Sequence, residues 1–581
     1  MRALWERIAG TRFATLTRSF LGQFFSSDSI ASDVQLQKAV VGVLAFLVTP
    51  GLLMPVQMAG AFEFAAIRFP ALLEPMTRMV ATICIAYSMA TIGVVAAVMW
   101  DQLSFDRRDA MVLGPLPLRS STVIAAKLTA MALFLLAGAA GINLMTAVPF
   151  SMVAGNHKPA IGVLRHFIAH MATTMTASTF IFSLLVTLRA LVGGVSGRRV
   201  AVASIVRFLL FSALLCFVIF MPSALHLVPG GRRRQTTIQM LPIPSWSPTN
   251  WFLGLYEWIR GSPGAEWNAG ARRAILITAS VVAASVLTTI AGYRRQLQLA
   301  LAPSADAAVR QTARLPRAIA AVATARNRLA RAIATFILMT LARSSAQQAT
   351  IAVNAAIGLT LVVASLMRGS GDIAQIMRAR TAVLWVPLVL MYWSGIGLRA
   401  AFFVPADVHA SWAFRLNGPI RTPAYWSATR AAAIGFLVPL GVVADALIVP
   451  LIGLRAAAWH ATIVIAVALM LAETIALTID FVPFTRPYIP GHAKIKTRWP
   501  LYLIGLYVFA VWPARAALFA AGDAAATLRI AGWVCATTVV LEIVGRRRAR
   551  AWRMDPMAEF QEESAIAVLD IGMTVPGASQ L

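Results

Sequence analysis

Runs of about 20 mostly apolar residues recur along the whole 581-residue chain. That is the length an α-helix needs to cross the hydrocarbon layer of a bilayer. The apolar share is 59% and the charged share 13%, where a soluble domain carries about 25% charged residues. Apolar–polar alternation in ten-residue segments, the mark of a membrane barrel, is absent. The expected fold is an all-α polytopic membrane protein.

Twelve spans are expected, at 39–61, 79–99, 125–149, 166–188, 202–224, 274–293, 347–366, 381–401, 429–452, 457–479, 500–520 and 524–544. An even number leaves both termini on one side. Placing them in the cytoplasm puts most of the 51 Lys and Arg there, Arg546, Arg547, Arg548, Arg550 and Arg553 included, as the positive-inside rule requires. The formal charge of +28 is then read as topology and as attraction to anionic lipid headgroups, not as a nucleic-acid surface. No basic patch interleaved with stacking aromatics suggests the latter.

Between the spans lie segments suited to the membrane surface. Residues 1–36 place Leu4, Trp5, Ile8, Phe13, Leu16, Phe20, Leu21 and Phe24 at helical spacing among Arg2, Arg7, Arg12 and Arg18, a basic amphipathic helix for the inner interface. No uninterrupted apolar core makes this a cleavable signal. The expected external loop 225–273 carries Arg232, Arg233, Arg234, Arg272 and Arg273, which fits the rule poorly. In it, Trp246, Trp251, Tyr256 and Trp258 read as an aromatic belt on a short interfacial helix. Residues 294–346 form a basic, alanine-rich linker, and 546–581 a cytoplasmic tail. The organisation expected is therefore two six-span halves, 37–293 and 347–545.

The most informative stretch is 100–130, WDQLSFDRRDAMVLGPLPLRSSTVIAAKLTA. Its charges exclude a span, and its interleaved apolar residues argue for a surface helix stopped by Pro115 and Pro117 before the chain re-enters the bilayer. A looser copy, FFVPADVHASWAFRLNGPIRTPAYWSATRAAA, follows span eight. Ala110–Leu113 and Pro115 face Ala413–Leu416 and Pro419, with Trp412 and Arg415 in the copy, and Lys127 faces Arg430. Duplication of an even number of spans gives parallel repeats.

Chemistry-bearing motifs are few. No Gly-Lys dipeptide exists, hence no P-loop; neither H-E-x-x-H nor a nucleophile elbow occurs. Cys84, Cys216 and Cys535 lie singly in apolar runs and suggest neither disulfides nor a metal site. His170 and His460 read as packed helix residues. Three carboxylates fall within spans, Asp445, Glu473 and Glu542. Glu542 is expected to pair with Arg546 one turn on. Asp445 and Glu473, on adjacent spans, could meet and form an intramembrane path.

The segment Asp106-Arg107-Arg108-Asp109 followed by Pro115-Leu-Pro117 and Lys127 resembles the cytoplasmic segment of ABC-2 type permeases. Six spans per half, the amphipathic N-terminal helix and the tryptophan-bearing segment before the sixth span are similar to that family too. The second half matches more loosely, lacking the Asp-Arg-Arg-Asp charges. The resemblance implies the membrane subunit of an exporter in the bacterial-type inner membrane. It binds no cofactor itself; ATP is bound by a separate ATPase subunit, which docks on 101–121 and on 405–425. The internal repeat favours one chain per pore, with a homodimer as the alternative. The rival function is a proton-coupled secondary transporter using Asp445 and Glu473. A membrane-embedded enzyme would need an acidic or histidine constellation at one face, and none is legible. The substrate is not legible either.

Overall fold

A computed structural model describes residues 11–25, 55–100, 102–105, 107–113, 116–155, 160–196, 206, 208, 247–301, 314–324, 327–367, 380–404, 422–479, 481–484, 495–520 and 523–551. Among them there is no strand, and nine helices are long and apolar enough to cross a membrane. The chain is an all-α, multi-pass membrane protein. It divides into two compact units, Met1–Ala305 with Leu359–Gly371, and Asp306–Gly358 with Asp372–Leu581.

The first unit contains α1 (Arg12–Phe25), α2 (helical residues 55–68), α3 (Leu73–Val98), α4 (Arg107–Leu113), α5 (Ser120–Gly155), α6 (Ala160–Ser196), α7 (Pro248–Arg260) and α8 (Ala265–Leu301). α3, α5, α6 and α8 are the candidate spans. With 36 residues, α5 is about 54 Å long at ~1.5 Å per residue, well beyond the ~30 Å hydrocarbon layer. Several spans therefore continue as helix past the apolar stretch visible in sequence. In the middle of the unit, Ser88 on α3 donates to Asn143 Oδ1 on α5 at 2.7 Å and sits 2.8 Å from Ser178 Oγ on α6. Fully buried hydroxyls and amides are satisfied across three helices there, the polar glue that apolar surroundings cannot supply.

The second unit contains α9 (Arg314–Thr324), α10 (Arg328–Arg343), the start of α11 (Ser345–Met367), α12 (Arg380–Ala401), α13 (Thr422–Ala446), the single turn α14 (Val449–Ile452), α15 (Leu454–Thr478), α16 (Ile495–Leu506), α17 (Trp512–Phe519) and α18 (Ala524–Ala551). A π turn, Tyr507–Val511, joins α16 to α17 within one span. The basic stretch read as a linker is helical in its described parts: α9 and α10 both pack on α13. Asn327 separates them by accepting from Ala330 N–H at 3.0 Å, an N-cap that starts α10.

Nine of the expected spans fall on the nine candidate helices. Span 347–366 is different: α10 and α11 meet at a 75° bend and pass as a membrane element only together. The second member of that pair, Ala346–Val362, is too short to count as a span alone. Residues 39–54 of the first expected span and nearly all of 202–224 lie outside the described residues.

Candidate functional site

The 100–130 stretch folds as a clamp rather than as a helix lying free on a surface. Trp100, Leu103 and Phe105 are buried, which anchors the approach to α4. α4 is only seven residues long, and it packs on α8. Its Asp109, 5% exposed, accepts from Gln23 Nε2 of α1 at 2.8 Å and lies 3.5 Å from Lys127 Nζ of α5. Lys127 is itself 2% exposed and also donates to Gln23 Oε1 at 3.5 Å. The ammonium lies 4.7, 5.8 and 5.6 Å from the ring centres of Phe20, Phe24 and Phe105. A charge held this far from water needs a counter-ion, and the aromatic faces add cation–π attraction. The apolar face of α1 (Phe20, Phe24) thus roofs an ion pair that joins α4 to α5.

The opposite side of α4 is open. Met111, Val112 and Leu116 are about half exposed (52%, 57% and 47%). Pro117 follows as an exposed residue. Arg107 and Arg108 sit in the first turn of α4; Asp106 and Pro115 lie outside the described residues, as does 405–421 of the counterpart segment, with Trp412, Arg415 and Pro419.

The second unit places a partly exposed basic residue at the same depth of the following helix. Arg430 is the ninth residue of α13, and Lys127 the eighth of α5. Their partners differ. Arg430 bonds Glu473 of α15 through Nε and lies 3.3 Å from Glu542 of α18 through Nη1. Glu542 also pairs with Arg546 at 2.5 Å, the one-turn pair expected. Arg548 Nη1 donates to Leu477 O at 2.7 Å and closes the end of α15. Buried at the other end of the α13–α15 hairpin, Asp445 Oδ1 and His460 Nδ1 are 2.5 Å apart.

Asp445 and Glu473 therefore do not meet. Fifteen helical residues separate Arg430 from Asp445 on α13, about 22 Å at ~1.5 Å per residue. Antiparallel pairing puts the two carboxylates at opposite ends. His460 is not a lone packed imidazole either. The hairpin turn is the signal that could have shown it: Asp445 precedes Gly453 by about the distance His460 follows it. Arg399, 6% exposed inside α12, was also unmarked by the sequence; it donates to Thr478 Oγ1 at 3.0 Å and to Tyr502 Oη at 3.2 Å.

The expected aromatic helix is α7, and Trp246 lies outside the described residues. Trp258 is exposed, but Phe252, Leu255 and Tyr256 are buried at i, i+3 and i+4 spacing, so the helix packs on α3, α6 and α8. Gly254 and Gly270 permit the close approach to α8: a Cβ at 254 would lie 2.7 Å from Gly270 Cα. Tyr256 Oη lies 2.6 Å from His166 Nδ1. Burial pushes the Tyr256 phenol well above its usual range, with Arg260 opposing and Glu257 and Glu74 adding to the rise. Fully buried Glu257 holds Arg260 at 2.6 Å and Arg78 at 3.5 Å, and Arg260 also holds Glu74 at 2.7 Å. Burial opposes the Arg260 charge, but these carboxylates outweigh it and hold the guanidinium more firmly protonated than usual. This network ties α7 to α3 and has no free nucleophile, so it reads as architecture.

No group of three or more His, Cys, Asp or Glu among the described residues could hold a metal ion. Compared with known protein families, curated proteins and solved structures, the chain matches none.

Proposed function

We propose that this chain is the membrane subunit of an ATP-driven exporter, with α4 as the element that a separate ATPase subunit grips. The observation that carries the reading is the shape of α4. A short helix is bolted to the first unit by a buried ion pair while it offers Met111, Val112 and Leu116 to an outside partner. A load-transmitting element needs both properties. An apolar tip gives the partner something to bind, and a rigid root passes the displacement to α5 and α1. Nucleotide-dependent movement of the partner would then shift the population of transmembrane arrangements. The chain has no nucleotide loop of its own and does no covalent chemistry under this reading.

The same reading takes the architecture as twelve spans in two parallel six-span halves, in a bacterial-type inner membrane with both termini cytoplasmic. Three features support it. An amphipathic helix preceding the first span of each half packs on the third span: α1 on α5, α10 on α13. A cation paired with a carboxylate sits about two turns into that third span in both halves, Lys127 with Asp109 and Arg430 with Glu473. The run Arg546, Arg547, Arg548 and Arg550 closes α18 just after Glu542, at the end of the unit expected to face the cytoplasm.

The test is a gentle-detergent pull-down of the tagged full-length chain from its native membrane, with the eluate assayed for ATPase activity. An ATPase should co-purify. It should be lost at least ~10-fold from the M111E/V112E variant and from R107E/R108E. A chain that repeatedly purifies alone, or variants that retain the ATPase fully, would overturn the proposal. One observation favours the rival proton-coupled carrier, the buried Asp445–His460 pair. In that mechanism the Asp445–His460 and Arg430–Glu473 pairs would open in turn, and vesicles would transport under a proton gradient without ATP.

A further inference from the structure

Five exposed arginines among the described residues gather at the end of the first unit where α4 sits: Arg12 and Arg18 on α1, Arg119 just before α5, and Arg294 and Arg295 near the end of α8. Packing fixes their places. α1 lies on α5, and Phe20, two residues after Arg18, meets Phe105 edge-on at 6.2 Å. Phe105 in turn meets Tyr293, next to Arg294, at 4.8 Å. A three-ring stack thus joins α1 to the end of α8. Lys127, 4.7 Å from the Phe20 ring centre, is about two turns along α5 from Arg119.

The depth of this cluster is that of lipid headgroups. The candidate span in α8 ends at Arg295 and the one in α5 begins at Ser120, so Arg119, Arg294 and Arg295 sit where the chain leaves the hydrocarbon. Guanidinium groups take phosphate oxygens bidentately, and an anionic leaflet supplies such groups at that depth. Carboxylates do not fill the role. Of the acidic residues described in this unit, Asp109 alone is at this end, and it is buried against Lys127. Glu63, Glu74, Glu257 and Glu266 belong to the opposite end, on α2, α7 and the starts of α3 and α8.

Docking α1 also crowds like charges. Its inner face, Thr17, Phe20 and Phe24, is buried, while Arg12 and Arg18 stay exposed and approach the three arginines of α5 and α8. Like charges repel, and anions seated among them turn that repulsion into attraction. We infer that anionic phospholipid headgroups seated among these five arginines hold α1 on the Asp109–Lys127 pair, so that the charge of the leaflet braces the root of α4. A basic helix drawn to any anionic surface needs only its own Arg12 and Arg18. This composite site needs Arg119, Arg294 and Arg295 as well. The inference concerns the docking of α1; its bearing on an ATPase's grip of α4 rests on the function proposed above.

The experiment is hydrogen exchange, read by mass spectrometry, on the purified full-length chain in vesicles of phosphatidylcholine alone or with roughly 30% phosphatidylglycerol. An undocked helix of 14 residues is too short to keep its amide bonds in water, so exchange in α1 reports docking. At roughly fivefold per arginine near an anionic surface, the two on α1 should raise its protection ~30-fold with phosphatidylglycerol, with α5 unchanged. R12Q/R18Q and R119Q/R294Q/R295Q, all at exposed positions, should each remove most of that difference. D109N should lower α1 protection in both lipids. Equal protection of wild-type α1 in the two vesicles, or a lipid effect that survives R119Q/R294Q/R295Q, would overturn the inference. Protection that D109N leaves intact would come from α1 on the bilayer rather than on α5, and would overturn it equally.

Discussion

Replacing Asp109 by Asn should release α1 from the first unit. In the wild-type protein the Lys127 ammonium is 2% exposed, with Asp109 3.5 Å away and the rings of Phe20 and Phe24 over it. Asn keeps the shape and a hydrogen bond to Gln23 but removes the counter-charge. Stripping one partner from a buried pair costs ~3–5 kcal/mol, and retained cation–π contacts offset about 1–2 of it. The remaining ~2–3 kcal/mol is charged to the docked state alone, because undocking α1 lifts the aromatic roof and lets water reach the ammonium. At about 1.4 kcal/mol per tenfold, the undocked population should rise roughly 30- to 150-fold. Arg18 is exposed on α1, so initial tryptic cleavage after it reports that population whenever reclosing outpaces cleavage. The double variant D109N/K127M removes both charges and should return cleavage to within ~10-fold of wild type. Unchanged cleavage in D109N, or a double variant as labile as the single, would refute the ion-pair reasoning.

Three further outcomes follow from the geometry. G254V should lower the detergent-phase melting temperature by the equivalent of ~1–3 kcal/mol or more, since its Cβ would lie 2.7 Å from Gly270 Cα backbone that cannot step aside; G22A, with nothing near, should not lower it. E473Q leaves Arg430 with only Glu542 at 3.3 Å and should destabilise the α13–α15–α18 contact, and R430M/E473Q should recover most of the loss on a double-mutant cycle; additive losses would deny the coupling. Tyr256, whose folded pKa lies above its usual 10.0, stabilises the fold fully below pH ~10 and loses that contribution as alkali ionises the unfolded chain first. Y256F should therefore leave the tyrosinate absorbance rise near pH 10 unchanged while the wild-type fold is intact, and a rise missing from Y256F would contradict the burial.

Much of the helix inventory was legible because crossing a bilayer leaves a local signature: about 20 apolar residues in sequence need no tertiary partner to be recognised. The α1 face carrying Phe20 and Phe24, the short helix at Arg107–Leu113 and the Glu542–Arg546 pair are local in the same sense. Gly453 and Pro450 mark a hairpin, yet the sequence reading left His460 alone and joined Asp445 to Glu473. Both errors came from treating adjacent spans as if all their polar residues shared one level. Antiparallel packing and a rise of ~1.5 Å per residue put Asp445 with His460 and Glu473 with Arg430. In α7 the tryptophans stood out in sequence, and only packing showed that the turn-spaced Phe252, Leu255 and Tyr256 face the helix bundle.

By itself, then, the amino-acid order determined that this protein lives in a membrane as a set of helices, and where its cationic and surface-seeking segments begin. Hydropathy is a property of consecutive residues, so it survives without a structure. Which charges are paired, and therefore which helices are tied together, was decided only by tertiary packing. The Lys127–Asp109–Gln23 clamp spans 105 residues of sequence, and a buried charge settles on whichever partner the helix register delivers within a few ångströms. The same register set His460 Nδ1 2.5 Å from Asp445 Oδ1.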